Sequence, residues 1–243
     1  MYKFYQIVFT IYSWAVFIFL WILSTLTSLV LSVDSNNKEK VFNVIERFFS
    51  RIAFKLIGMR VEIQGTENIP RDEHVIFISN HQSMMDIKLS LAYIPVNISF
   101  ISKDTVFHIP ILGTYMKASG HISIQRNDDK KAYVTLLAAV KKLTEKKSLV
   151  VFPEGTRSED GRLGPFKRGV SLIILKSGRR VIPMAISGSS TFMPKHGWLS
   201  YPEKRNIKIS FGNPLSFDTS RNDREYTIKI IDTLHRKVSE LLR

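Results

Sequence analysis

The residues best suited to chemistry gather in a few short segments. The first is Asn80-His81-Gln82-Ser83-Met84-Met85-Asp86, which follows the apolar run VIFIS. A carboxylate that accepts from one imidazole nitrogen fixes the ring and leaves the other nitrogen to accept a proton, the orienting half of a Ser-His-Asp triad. On a straight helix His81 and Asp86 would not share a face, since five steps rotate by roughly 500°, or about 140° net. They converge if His81 lies in the turn before a helix and Asp86 in its first turns. The chain has no cysteine, and no G-x-S-x-G elbow presents a serine nucleophile. The direct use of such a pair is therefore removal of a proton from the substrate's own hydroxyl. The same spacing also suits a capped turn in which His81 is merely hydrogen-bonded.

The second segment is FPEGTRS, residues 152–158, after the run SLVV. A turn at the carboxyl end of a strand is where α/β proteins commonly bind ligands. Gly155 would let the backbone approach closely, and the Arg157 guanidinium offers a planar fork of donors to a phosphate. No Gly-Lys-Ser/Thr follows, so it is not a P-loop; alone it would also suit a surface turn with a solvated arginine. Two further blocks are GHISIQR, residues 120–126, ending in Arg126, and VIPMAIS, residues 181–187, an apolar strand that breaks at Pro183. Lys103, after ISFIS, is another cation available to an anionic ligand.

The elements that must position these residues alternate in an α/β manner. Strands are expected at Arg60–Gln64, His74–Ser79, Ile98–Ile101, Ile122–Ile124, Leu149–Phe152, Val181–Ile186 and Ile207–Phe211. A helix is expected over Asp128–Lys147, with acids in its first turn and Lys146 and Lys147 in its last, matching the helix dipole. A final helix over Asp223–Leu242 carries Ile230, Ile231, Leu234, Val238, Leu241 and Leu242 on one side, with Ser220 and Asp223 as its cap. Residues 41–59 read as an amphipathic helix, with Phe42, Ile45, Phe48, Phe49, Ile52, Leu56 and Ile57 on the apolar face and Glu46, Arg47, Arg51 and Lys55 elsewhere. That helix could pack on the domain or lie at a membrane interface.

The 243 residues carry 35 Lys+Arg against 21 Asp+Glu, a net charge of +14. At 44% hydrophobic and 23% charged, the chain has the makings of a packed core and not of a disordered polymer. Without cysteine there is no disulfide, thiolate nucleophile or Cys-liganded metal. The charge calls for an anionic partner. The mean hydropathy of 0.00 averages two unlike parts, because no charged residue occurs from Phe4 to Val33. As a helix that stretch would be about 45 Å long, against a hydrocarbon core of about 30 Å. It could cross a bilayer with tilt or fold into a shorter inserted hairpin, and it is too long for the apolar core of a signal peptide. Lys3 is the only charge in residues 1–33, so the domain behind the anchor carries +13. This favours a membrane-associated protein with its domain on the cytoplasmic side of the inner membrane. The basic residues are spread along the chain and form no nucleic-acid-binding signature, so a membrane-tethered nucleic-acid-binding protein is the weaker alternative.

Together, NHQSMMD, GHISIQR, FPEGTRS and VIPMAIS, in that order, resemble the glycerolipid acyltransferase family, in particular bacterial-type 1-acyl-sn-glycerol-3-phosphate acyltransferases. SKDTVFHIPILG, residues 102–113, is similar to the family's segment between the first two blocks. The resemblance covers roughly residues 60–215; Gln125 stands where many relatives carry Asp. It implies a single α/β domain with a mixed sheet flanked by helices (residues 60–243), behind a membrane-anchoring helical segment (residues 1–59). It also implies transfer of a fatty acyl group from a coenzyme A or acyl-carrier-protein thioester to the sn-2 hydroxyl of lysophosphatidic acid, with no metal or other cofactor. His81 would be the general base, oriented by Asp86. Glu154, Gly155, Thr156 and Arg157 would bind the acceptor, with Arg157 and Arg126 near its phosphate; Lys103, read from its place after ISFIS, is a further cation for it. Expected partners are anionic membrane lipids, lysophosphatidic acid and the thioester donor. Another lysophospholipid or an amino-lipid would suit the same chemistry.

Overall fold

The computed structural model describes the chain except for residues 125–136, 138–139, 142–143 and 145. Arg126, Gln125 and most of the helix expected over Asp128–Lys147 lie outside the described residues. Two long helices come first, α1 (Tyr2–Leu31) and α2 (Lys38–Leu56). The strands follow: β1 (Arg60–Gln64), β2 (Ile76–Ser79), β3 (Ile98–Lys103), β4 (Ile122–Ile124), β5 (Ser148–Val151), β6 (Val181–Ser187) and β7 (Asn206–Phe211). Between and after them come α3 (Met85–Tyr93), α4 (Asp104–Phe107), α5 (Leu112–Ala118), α6 (Gly169–Ser177), α7 (Ser189–Phe192) and α8 (Arg224–Leu241). All seven expected strands form, with ends shifted by a residue or two.

The sheet runs β1-β7-β6-β2-β5-β3-β4. The five strands from β6 to β4 are mutually parallel, and β7 turns antiparallel against β6 with β1 parallel to it, so the sheet is mixed. Side chains alternate between two cores, as the period of a strand requires. Phe77 and Val150 point to the face covered by α1, α2 and α3, whereas Ile76, Ile78 and Leu149 point to the face covered by α6 and α8. The chain leaves β2 through α3 on one face and β5 through α6 on the other. The carboxyl ends of these adjacent strands therefore open a crevice at the switch point where doubly covered sheets bind ligands.

Pro183 does not break β6. It stays paired with Ile78 of β2 and lies one residue outside the last β6–β7 pair, Met184 with Phe211; it has no N–H to give β7, but its carbonyl accepts from Gly212 at 2.8 Å. The cap of α8 is Asp223 alone, whose carboxylate accepts from the Tyr226 N–H at 2.9 Å; Ser220 instead bonds Asp218.

The buried face of α2 differs from the expected one. Phe48 and Leu56 are exposed, while Glu46 is fully buried. Its carboxylate takes hydrogen bonds from Ser24 of α1 at 2.7 Å and Ser50 at 3.2 Å and pairs with Lys88 of α3. A buried carboxylate needs such partners, and these tie three helices together. Arg47 and Arg51 donate to the carbonyls of Val96 and Ala92, each at 2.7 Å, covering the carboxyl end of α3.

Helix α1 inverts the usual polarity of a surface helix. Its inward stripe includes Gln6, Thr10, Ser13, Ser24, Thr25 and Ser28, whereas Phe4, Ile11, Phe19 and Leu26 are among the many apolar side chains turned outward. It runs antiparallel to α2, with Phe17 on Phe54 at 5.5 Å and Tyr12 Oη donating to the Leu56 carbonyl at 3.1 Å. Along its length it also touches the sheet domain, from Phe9 on Phe192 to Trp21 on Tyr115.

Two predictions follow from this packing. Phe9, Phe17, Leu20 and Phe54 share one apolar core with Phe77, Met184 and Phe211. A chain starting at residue 60 should therefore aggregate instead of folding, and a stable monomer on size-exclusion chromatography would contradict this packing. The second concerns His121, which contacts Phe100 and Tyr115 and accepts from the Phe100 N–H at 3.3 Å through Nδ1. Burial, reinforced by the charges of Lys147 and Lys88, pushes its pKa from 6.5 down to about 3. Between those values the unfolded chain binds the extra proton, so this contribution to stability is complete above about pH 6.5 and is lost as pH falls towards 3. Denaturant melts should show a shallower fall in stability over that window for His121→Gln than for the parent chain.

Candidate active site

The site is built where β2 ends. Asn80 continues the strand with its side chain: Nδ2 donates to the Ile186 carbonyl, and Oδ1 accepts the Ile186 N–H, both at 2.8 Å. This amide imitates one more ladder rung and pins the end of β2 to β6. The chain then turns through residues 81–84 into α3, which begins at Met85.

Asp86 lies in the first turn of α3, fully buried, and reaches back over that turn. Its Oδ2 accepts from the Gln82 N–H at 2.6 Å, the Ser83 N–H at 2.8 Å and the His81 ring Nδ1 at 2.9 Å. A carboxylate can only accept, so Nδ1 carries the proton and Nε2 presents a lone pair. Phe152, the residue after β5, stacks on the imidazole at 4.2 Å and 19°, and Phe100 stacks behind Phe152 at 6.2 Å. The ring is thus held at one edge by a carboxylate and on one face by an aromatic.

The third block grips the His81 backbone. Glu154 is buried, with Oε1 accepting the His81 N–H at 2.8 Å and Oε2 the Gly164 N–H at 3.0 Å. The Ser158 N–H donates to the His81 carbonyl at 2.7 Å. Burial raises the pKa of Glu154, and the two backbone donors oppose that rise. Gly155 adopts φ +72°, a conformation costly for a residue with a Cβ. Beyond it the loop borders an open pocket of about 660 Å³, lined by Glu154, Thr156, Arg157, Lys167 and Lys195 among others. Lys195 pairs with Glu159. Among the described residues, no carboxylate pairs with Arg157 or Lys167.

The structure thus brings together His81, Asp86, Glu154, Gly155, Thr156 and Arg157. Lys103 stands exposed on the same carboxyl edge, at the end of β3. Asn80, Phe152 and Lys167 join the site without having been assigned a task from sequence. Asn80 and Phe152 at least lie within the NHQSMMD and FPEGTRS blocks, whereas Lys167 comes near only because the loop doubles back, its N–H donating to the Pro153 carbonyl at 2.9 Å. Among the described residues, no three His, Asp or Glu side chains cluster as metal ligands.

Residues 60–187 match the acyltransferase family profile, a span that covers all four sequence blocks. A chloroplastic 1-acyl-sn-glycerol-3-phosphate acyltransferase of Brassica napus is 33% identical over 213 residues, which are 82% of this chain and 62% of that protein. The chain therefore spans less than two thirds of that relative. A 1-acyl-sn-glycerol-3-phosphate acyltransferase of Limnanthes alba is 36% identical over 200 residues, 82% of this chain and 68% of the relative. The crystal structure of PlsC, the 1-acyl-sn-glycerophosphate acyltransferase of Thermotoga maritima, superposes with a TM-score of 0.81 at 28% identity, covering 99% of this chain and 98% of that one. With the profile matched from β1 to the end of β6, and the mixed sheet shared with a solved relative, this chain belongs to the acyltransferase family.

Proposed function

We propose that this chain transfers a fatty acyl group from an acyl-CoA or acyl-carrier-protein thioester to the sn-2 hydroxyl of 1-acyl-sn-glycerol-3-phosphate, forming phosphatidic acid. The observation that carries this reading is the His81 ring, its Nδ1 committed to Asp86 and its Nε2 left as an acceptor, joined through Glu154 to a pocket that Arg157 and Lys167 line. Nε2 takes the proton of the acceptor hydroxyl as its oxygen bonds to the thioester carbonyl carbon. The tetrahedral intermediate then collapses, the carbon–sulfur bond breaks, and the imidazolium returns the proton to the departing thiolate. Asp86 stabilises the imidazolium between these steps. Positioned base catalysis of this kind contributes about 10²–10⁴-fold, and holding the two reactants together contributes further. Arg157, with Lys167 beside it, binds the acceptor phosphate, with Lys103 and Arg126 as further cations for it. Glu154 serves the acceptor indirectly, by fixing the His81 backbone.

The outward face of α1 seats the protein on an anionic membrane, where each basic residue near the surface adds about 1 kcal/mol. The inner membrane, with the sheet domain on its cytoplasmic side, fits the charge distribution. The membrane also supplies the lipid acceptor.

His81→Ala should lower turnover by about 10²–10⁴-fold while the circular dichroism spectrum stays unchanged; turnover at the parent rate would sink the mechanism. Arg157→Ala should raise KM for lysophosphatidate by about 10–100-fold, the equivalent of losing charge-assisted hydrogen bonds of about 1.5–3 kcal/mol. It should leave KM for the donor unmoved. A change confined to the donor's KM would reassign Arg157 to the thioester side.

A further inference from the structure

The carboxyl edge of the sheet carries two projections with no role in the chemistry above. One follows β3: Ile109 and Ile111 are 48% and 58% exposed. Ile111 has φ +65° and ψ −55°, and the Leu112 N–H donates to the Pro110 carbonyl at 2.7 Å. This is a γ-turn of the positive-φ kind, rare and strained, and a β-branched residue is poorly suited to it. The other projection lies beyond β6 and α7, where Trp198 is 53% exposed. In water, neither a strained isoleucine nor an open indole gains anything from its position.

Both projections are fastened to α1. Trp14 Nε1 donates to the Trp198 carbonyl at 3.0 Å. Trp21 packs edge-on against Tyr115 at 6.1 Å, and the Tyr115 N–H donates to the Ile111 carbonyl at 2.9 Å. Trp14 and Trp21 are seven residues apart, about 10 Å along a helix, so one rigid element carries both. In the sheet order β6-β2-β5-β3, the projections follow the two outer strands, and the His81 and Glu154 turns follow the two inner ones. Exposed lysines lie within eight residues of each tip along the chain: Lys103 and Lys117 flank the first, and Lys204 follows the second. Apolar or indole tips flanked by lysines suit the boundary between acyl chains and anionic headgroups.

We propose that the Ile109–Ile111 turn and the Trp198 loop are two membrane-inserting prongs that straddle the mouth of the site and hold it against the bilayer surface. Their occupant is the outer part of an anionic lipid leaflet, continuous with the lipid that covers α1. The proposal rests on the membrane-associated reading of α1 given above. The lipid acceptor then reaches His81 from the leaflet without crossing open water.

The absence of native cysteine permits single-site labelling of the full chain. Ile111→Cys, Trp198→Cys and, as a control, Lys229→Cys on α8 across the sheet would each carry an NBD fluorophore. The probe surface is vesicles of phosphatidylglycerol and phosphatidylethanolamine. At positions 111 and 198 the emission should shift to the blue, brighten several-fold and be quenched by lipids brominated near the headgroup, while position 229 stays aqueous. If the protein co-sediments with vesicles but labels 111 and 198 stay aqueous, the prongs are refuted and the reading of α1 survives. If it does not co-sediment at all, both fall. A double Ile109→Asp, Ile111→Asp variant should raise KM several-fold for vesicle-borne acceptor and leave kinetics unchanged for a monomeric short-chain acceptor. Equal loss on both acceptors would assign the turn to the fold alone.

Discussion

A single carboxylate oxygen organises the centre of this protein. Asp86 Oδ2 accepts from two backbone N–H groups and the His81 ring within 2.9 Å. The backbone donors belong to the turn that starts α3, so the contact that nucleates the helix also orients the imidazole. A buried ion with three charge-assisted donors on one oxygen strongly resists displacement. Its Oδ1 has no partner among the described residues, so the carboxylate's hydrogen bonds are concentrated on the atom that faces His81. The helix start and the orientation of the His81 ring therefore stand or fall together.

That arrangement needs a fixed end to β2, and contacts on both sides supply one. Asn80 ties it to β6, Glu154 and Ser158 tie the His81 backbone to the loop after β5, and Phe152 presses the ring. Each partner comes from β6 or from the segment just after β5, the two strands adjacent to β2 in the sheet. Because α3 and α6 leave to opposite faces, no described element of the sheet covers the crevice, and the His81 side chain keeps 15% of its surface exposed there. The cations follow from the same geometry: the loop after β5 must pass the crevice before entering α6, and it carries Arg157 and Lys167 past it.

Much of this was legible in the residues. Alternation and turn signals located all seven strands, because buried parallel strands are short apolar runs bounded by polar turns. The convergence of His81 and Asp86 needed only a turn followed by a helix, and the block after VIFIS supplies it. Other features depended on distant partners. Glu46 reads as a solvent-facing residue by helical periodicity, yet Ser24 and Lys88, from elements 22 and 42 residues away, make its burial tolerable. Periodicity alone cannot separate a helix face covered by protein from one covered by lipid, so Phe48 and Leu56 read as part of the same apolar face as Phe42 and Ile57. Pro183 reads as a strand break because its position at the end of a ladder is set by β7, which comes later in the chain. The backbone grip of Glu154 on His81 was equally hidden, since a carboxylate in a phosphate-binding turn invites a substrate role before a structural one.

The reversed polarity of α1 couples folding to the membrane reading proposed above. Its inward hydroxyls are largely satisfied within the helix: Thr10, Ser13 and Thr25 donate to carbonyls four residues back. They demand little of the domain beneath, and small hydroxyl-bearing residues allow close approach between helices whose other faces meet lipid. The outward apolar face gains nothing in water, where its exposure favours association with other chains. A surface that covers this face only when α1 is docked binds the folded state and not the unfolded one, and so stabilises it by mass action. The same docking carries Trp14 and Trp21 into place, and through them the loops on either side of His81. On this reading the bilayer is a folding ligand as well as the source of the acceptor, and the geometry of the crevice is set in part by the phase from which its substrate comes.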